Sequence, residues 1–171
     1  MKQKFIDAHM AAAEVYSKLS SAKRLQVGCV VVKDNTIIGI GYNGMPSGWT
    51  NDCEYRDYMS RDAGGWLNPD DINQMWPFEE EDIHPDFGYA RRYALKTKPE
   101  VLHAETNALA KIAQSTNSSE GASLFVTHAP CLDCAKLIFQ SGINSVYYRN
   151  SYRDEKGTDF LKQCGVEVKK C

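Results

Sequence analysis

Two strings far apart in the chain, His103-Ala104-Glu105 and Pro130-Cys131-Leu132-Asp133-Cys134, must be brought to one point by whatever fold this sequence adopts. Together they offer one imidazole, two thiols and a carboxylate. A structural zinc site is closed by four protein ligands, whereas a catalytic site keeps three and leaves a position for water. Here His103, Cys131 and Cys134 make three ligands, and Glu105 is left beside the water position. On one helical turn Cys131 and Cys134 present their sulfurs on the same side. Pro130 suits the first position of that helix, because its missing N–H would have no partner there. The positive end of the helix dipole then favours the thiolates. His103 opens a second helical stretch, HAETNALAKIAQS, rich in strong helix formers. Two thiolates and a neutral imidazole bring Zn²⁺ to zero net charge, and such a metal lowers the pKa of bound water from 15.7 to about 7.

Glu105 separates a metal site from an enzyme. A carboxylate two positions after a ligand can take the water proton, deliver it to a ring nitrogen and then protonate a departing amine. General acid–base help of this kind is worth about 10²–10⁴-fold. A lone C-x-x-C would leave a structural clip open, with Glu105 an ordinary solvated helix residue. The upstream His-x-Glu and the proline before the cysteines favour the enzyme.

At 171 residues the chain fits one domain, 1–171, with a core that needs no staples. A formal charge of −2 gives no basic field to attract nucleic acid. No run of about 18 apolar residues and no signal-peptide pattern is present, so the expectation is a soluble cytoplasmic protein without membrane or nucleic-acid partners. Of the six cysteines two go to zinc. Cys29 sits in an apolar strand as a small hydrophobe, Cys164 and Cys171 have no evident partner, and a reducing compartment follows.

An opening amphipathic helix is predicted, with Phe5, Ala8, Ala12, Val15 and Leu19 as its apolar stripe. VGCVVVK and TIIGIGY read as a hairpin around the turn pair Asp34-Asn35. From Asn43 to Pro99 no simple alternation holds. Tryptophans there argue for order, and an ordered insertion is expected over about 51–99. It includes the pair Gly64-Gly65, and its acidic run Glu79-Glu80-Glu81-Asp82 reads as a solvated loop. FGYARRYALKTK reads as a short helix stopped by Pro99. Beyond it come the His103 helix, the strand SLFVTHA, the helix CLDCAKLIFQSG capped by Gly142, and the strand NSVYYRN. A last helix around 159–164 and the strand VEVKK follow. This alternation predicts an α/β sandwich on a mixed, largely parallel sheet, with zinc in a crevice at the strand ends.

The order H-x-E, then P-C-x-x-C, is the signature of zinc-dependent base deaminases. With HAETNA beside PCLDCAKLIFQSGI, and with RLQVGCVVVKDNTIIGIGYNGMPSG, the chain resembles the deoxycytidylate (dCMP) deaminases of the cytidine-deaminase superfamily. The string from Gly41 to Gly48 narrows the resemblance to the dCMP branch. About two thirds of the chain takes part, the middle of the insertion being left out.

The resemblance implies a three-layer α/β/α sandwich with a mixed five-stranded sheet and an insertion after the second strand. It implies hydrolysis of dCMP to dUMP and ammonia, supplying dUMP for thymidylate synthesis, with zinc on His103, Cys131 and Cys134 and protons carried by Glu105. Asn43 would contact the deoxyribose and Tyr152 would lie over the pyrimidine. Asn-Gly is also a common turn, and a tyrosine packed for structure is an alternative for Tyr152. Backbone N–H groups of Ala104 and Cys131, at helix N-termini, can donate to the substrate carbonyl. A 5′-phosphate needs cations. Lys23, Arg24, Arg91, Arg92 and Arg153 are candidates, with Arg24 and Arg153 preferred because they flank strand ends. The family's regulation would bring a homohexamer activated by dCTP with Mg²⁺ and inhibited by dTTP, the effector near Gly41, Tyr42, Asn43 and Gly44. A tight turn is the plainer reading of those glycines. Some relatives hold a second zinc; here Ser21-Ala22-Lys23-Arg24 carries no thiol, Cys53, His84 and His9 lack paired spacing, and one zinc per subunit is expected. Competing readings are a deaminase of tRNA adenosine or of free nucleosides, and a silent zinc module that senses nucleotides; a net charge of −2 does not favour the basic face the first needs, and the last is opposed by Glu105.

Overall fold

The computed structural model describes residues 1–60, 67–83 and 90–171. Gly64-Gly65 and His84 lie outside them. The elements run α1 (Gln3–Ser17), β1 (Gly28–Lys33), β2 (Thr36–Tyr42), β3 (Glu54–Tyr58), α2 (Pro69–Met75), β4 (Phe78–Ile83), β5 (Ala90–Thr97), α3 (Ala104–Ala113), β6 (Ser123–His128), α4 (Leu132–Gln140), β7 (Ser145–Asn150), α5 (Lys156–Gln163) and β8 (Glu167–Lys170). β1 and β2 form the expected hairpin; Asp34 and Asn35 hold φ of 50° and 61°, the paired left-handed residues of a tight type I′ turn.

Five strands form the main sheet in the order β2-β1-β6-β7-β8. β1 pairs antiparallel with both β2 and β6, while β6–β7 and β7–β8 are parallel. The sheet is therefore mixed as expected, though evenly divided rather than largely parallel. Helices cover both faces. Cys29 and Val31 of β1, Leu124 and Val126 of β6 and Val146 of β7 point toward α3, α4 and α5, through Ala104, Ala108, Ile112, Ala135, Ile138 and Leu161. The alternate residues Val30, Val32, Phe125 and Tyr147 point toward Ile6, Met10 and Ala13 of α1. Phe125 and Tyr147 face each other across β6 and β7 with rings stacked at 4.8 Å. This is a three-layer α/β/α sandwich, and Cys29 packs in it as a small hydrophobe.

The opening helix forms, but it buries another face. Ile6, His9, Met10 and Ala13 are inside, whereas Ala8 is exposed and Val15 and Leu19 are 62% and 59% exposed. Gly28 sets this phase: a Cβ there would stand 2.0 Å from the Ala13 carbonyl oxygen, so α1 lies backbone-to-backbone on the start of β1.

Over its described residues the insertion carries its own three-stranded antiparallel sheet, β3-β5-β4. Two expectations fail here. Residues 90–97 form strand β5 instead of a helix, because Tyr58 and Phe78 both pair with Tyr93 and cross-strand packing overrides the helix propensity of Ala94, Leu95 and Lys96. The acidic run lies in strand β4 instead of a solvated loop. Glu79 forms an ion pair with Arg92 at 3.0 Å, and Glu80 accepts from Tyr58 at 2.6 Å and pairs with Arg56 and Arg91. The Tyr58 hydroxyl, then Arg56, holds the Glu80 carboxyl below its ordinary range. Among the described residues no helix is long and apolar enough to cross a membrane.

Candidate active site

His103 and Cys131 are the N-cap residues of α3 and α4, both in extended backbone conformation, and neither side chain caps its own helix. Their donor atoms are thus left for another use. Pro130 stands one residue before the N-cap, not at the first helical position, and its carbonyl meets the backbone of Gly157 so closely that a Cβ there would lie at 2.0 Å. α5 is thereby pressed against the loop that carries Cys131. Cys134 sits one turn into α4 and is buried.

The ligand atoms of His103, Cys131 and Cys134 lie within 4.8 Å of one another, and among the described residues this is the cluster that can hold a metal. His103 Nδ1 is 3.2 Å from Cys134 Sγ and 3.6 Å from Cys131 Sγ. A tetrahedral zinc with bonds of about 2.3 Å to sulfur and 2.0–2.1 Å to nitrogen separates such donors by about 3.6 Å. Nδ1 is therefore the ligating nitrogen, and the donor set fits zinc. Hydrogen bonds from Cys134 and His103 hold the Cys131 thiol at about 4, while Cys134, donating to Cys131 and buried, is pushed up. The His103 imidazole is raised by its bond to Cys131. A divalent cation replaces those protons and makes both sulfurs thiolates.

Glu105, at the second position of α3, is 4% exposed. Burial raises its carboxyl above the ordinary range, opposed by its own backbone N–H and by His103. A proton carrier needs a pKa drawn toward neutrality, and desolvation supplies it.

The site opens into a cleft of about 710 Å³, a usual size for a small-molecule pocket. His103, Ala104, Glu105 and Cys131 line it together with Arg24, Asn43, Tyr152 and Arg153. The residues preferred for substrate contact, Arg24, Asn43, Ala104, Tyr152 and Arg153, thus all line the cleft that holds the ligands and Glu105. Arg153 lies 5.0 Å over the Tyr152 ring. Asn43 is not a left-handed turn residue: its Oδ1 accepts from the Val27 N–H and its Nδ2 donates to the Leu25 carbonyl, each at 2.8 Å. It ties down the loop that carries Arg24.

Lys23, Arg91 and Arg92 do not line the cleft; the two arginines are paired with the acidic strand β4. Of the residues proposed for an effector, only Asn43 reaches the cleft. Gly41 lies against α3, where a Cβ would stand 2.0 Å from the Ala104 carbonyl oxygen. The Tyr42 carbonyl accepts from Asn107, and Gly44 exchanges two backbone hydrogen bonds with Leu102, next to His103. Sequence reasoning missed the cleft residues Glu54, Tyr55, Lys96 and Thr97 from the insertion, and His128 and Ala129 from the end of β6. His128 was findable, since it ends a strand three residues before Cys131, where a crevice is expected. The insertion residues carried no local signal.

Residues 3–150 match the family described as the cytidine and deoxycytidylate deaminase zinc-binding region. The deoxycytidylate deaminase of enterobacteria phage T4 is 35% identical over 168 residues, covering 91% of this chain and 84% of that protein. The mouse deoxycytidylate deaminase is 33% identical over 168 residues, covering 94% and 76%. The crystal structure of the dCMP deaminase from cyanophage S-TIM5, in complex with dCMP and dUMP, superposes with a TM-score of 0.74 at 40% identity, covering 100% of this chain and 99% of that one.

Proposed function

This chain belongs to the cytidine and deoxycytidylate deaminase zinc-binding family, and from that premise we propose that it hydrolyses dCMP to dUMP and ammonia. The observation that carries the proposal is the buried Glu105 beside the His103, Cys131 and Cys134 cluster, at the wall of a cleft that also holds Arg24, Lys96 and Arg153. Bound zinc supplies a nucleophile of hydroxide strength at neutral pH. Glu105 takes the proton from water and delivers it to the ring nitrogen next to C4 as oxygen adds to that carbon. Glu105 then takes the remaining proton of the hydroxyl added at C4 and passes it to the amine; the C4–N bond breaks as the C4 carbonyl forms, and ammonia leaves. One water is consumed and the pyrimidine keeps its oxygen. The N-termini of α3 and α4 present the N–H groups of Ala104 and Cys131 to the substrate carbonyl. Tyr152 packs on the pyrimidine, Asn43 adjoins the sugar, and Arg24 and Arg153 meet the 5′-phosphate.

The reading extends to a cytoplasmic homohexamer activated by dCTP with Mg²⁺ and inhibited by dTTP. Support comes from the segment 41–44, which touches α3 through Gly41 and Tyr42 and the residue before its cap, Leu102, through Gly44, so that a nucleotide held there bears on the helix of Glu105. The test is the loss of cytosine absorbance with dCMP, CMP, deoxycytidine and dCTP in parallel, then with dCMP plus dCTP–Mg²⁺ or dTTP. Turnover confined to dCMP, raised by the first effector and lowered by the second, is the expected outcome. No turnover of dCMP by zinc-loaded protein overturns the substrate, and a hyperbolic curve indifferent to both nucleotides overturns the regulation.

A further inference from the structure

Glu54 and Thr97 stand opposite each other where β3 and β5 begin and end their pairing, forming one rung of the accessory sheet. That rung grips the loop carrying Arg24 at three points. The Glu54 carboxylate accepts the backbone N–H of Lys23 at 2.9 Å and of Arg24 at 3.1 Å, and the Thr97 hydroxyl accepts from Arg24 Nη1 at 3.1 Å. Its footing is firm: Cys53, next to Glu54, is buried with Ala22 and Val101, and its carbonyl accepts from Lys98. On the other side Asn43 fixes Leu25 and Val27, and Gln26 donates to the Ser20 carbonyl at 2.7 Å. A long exposed arginine is thereby held by both its backbone and its guanidinium, with further N–H donors left for an anion. The adjacent Lys96, bonded to Asp57 at 2.7 Å, lines the same cleft.

Ordering a rotamer-rich cation before ligand arrives lowers the cost of binding. We propose that the Glu54–Thr97 rung is a positioning device for Arg24, through which the accessory sheet selects a pyrimidine 5′-monophosphate over the free nucleoside. The proposal rests on the dCMP reading for the identity of the nucleotide, and its test does not depend on turnover. Binding of dUMP and of deoxyuridine is measured by calorimetry on zinc-loaded wild type, Thr97→Val, Thr97→Ser and Glu54→Ala, with KM and kcat for dCMP alongside. Thr97→Val and Glu54→Ala each weaken dUMP by about ten-fold, the scale of one hydrogen bond to a charged group, and leave deoxyuridine unchanged. Thr97→Ser, which keeps the hydroxyl, restores the preference. For dCMP the loss falls on KM with little change in kcat. Equal weakening of dUMP and deoxyuridine marks a merely structural rung and overturns the proposal, as does an unaltered preference in the well-folded Thr97→Val protein. A wild type that prefers dUMP yet leaves dCMP intact overturns only the reaction.

Discussion

At the scale of single residues, two jobs fall to neighbouring side chains. His103 gives Nδ1 to the metal cluster, while Glu105, two positions on, turns inward and is desolvated. Replacing Glu105 with Gln keeps the shape and removes the proton carrier. Zinc content is expected to stay at one per chain while turnover falls by at least about 10²–10⁴-fold, measured by metal analysis and the dCMP assay on one preparation. Loss of zinc in that variant would make Glu105 a structural residue instead. The gathering of His103, Cys131 and Cys134 was legible because ligand chemistry demands particular residue types at particular spacings. Asn43 was legible only in part: its place in the cleft was foreseen, but not that both ends of its amide are engaged by the 25–27 loop. That engagement depends on a strand end and a loop meeting in space, which spacing along the chain does not encode.

At the scale of elements, α3 is held against β2 without an intervening side chain at Gly41. Gly41→Ala would drive a methyl into the Ala104 carbonyl, a backbone atom that moves only with the whole helix. Overpacking of this kind costs about 1–3 kcal/mol. The expected result is a lower melting temperature and a lower zinc affinity, seen by calorimetry and by competition with a chromogenic chelator. A variant with unchanged stability that loses only its response to dCTP would favour a pure effector role. Elements built from strong local patterns were read correctly, including the hairpin, both ligand helices and the strand between them. The failures share a cause. The phase of α1 was decided by backbone contact at Gly28, and β4 and β5 by pairing inside the accessory sheet, where Glu79 and Glu80 meet arginines. Each is a tertiary interaction overriding a local preference.

At the scale of the whole molecule, the metal cluster joins the starts of two helices that pack on one face of the sheet. Stripping zinc with a chelator is expected to abolish turnover and lower the melting temperature by roughly 5–10 °C, given the ~2.7 kcal/mol contributed at a free metal level of 100 Kd. Adding zinc back restores both, as followed by scanning calorimetry; an unchanged melting temperature would mean that the helices are held by packing alone. The accessory sheet makes a wall of the same cleft, and this was beyond the reach of the sequence because Glu54 and Thr97 meet only through the β3–β5 pairing. The placement of the ligands in chain order has another consequence. His103 comes before β6 and the two cysteines after it, so the three donors assemble only once β6 has been laid between β1 and β7. A chain whose central strand is misthreaded is therefore expected to hold zinc by its two thiols alone, and to lose it to a competing chelator before the native protein does.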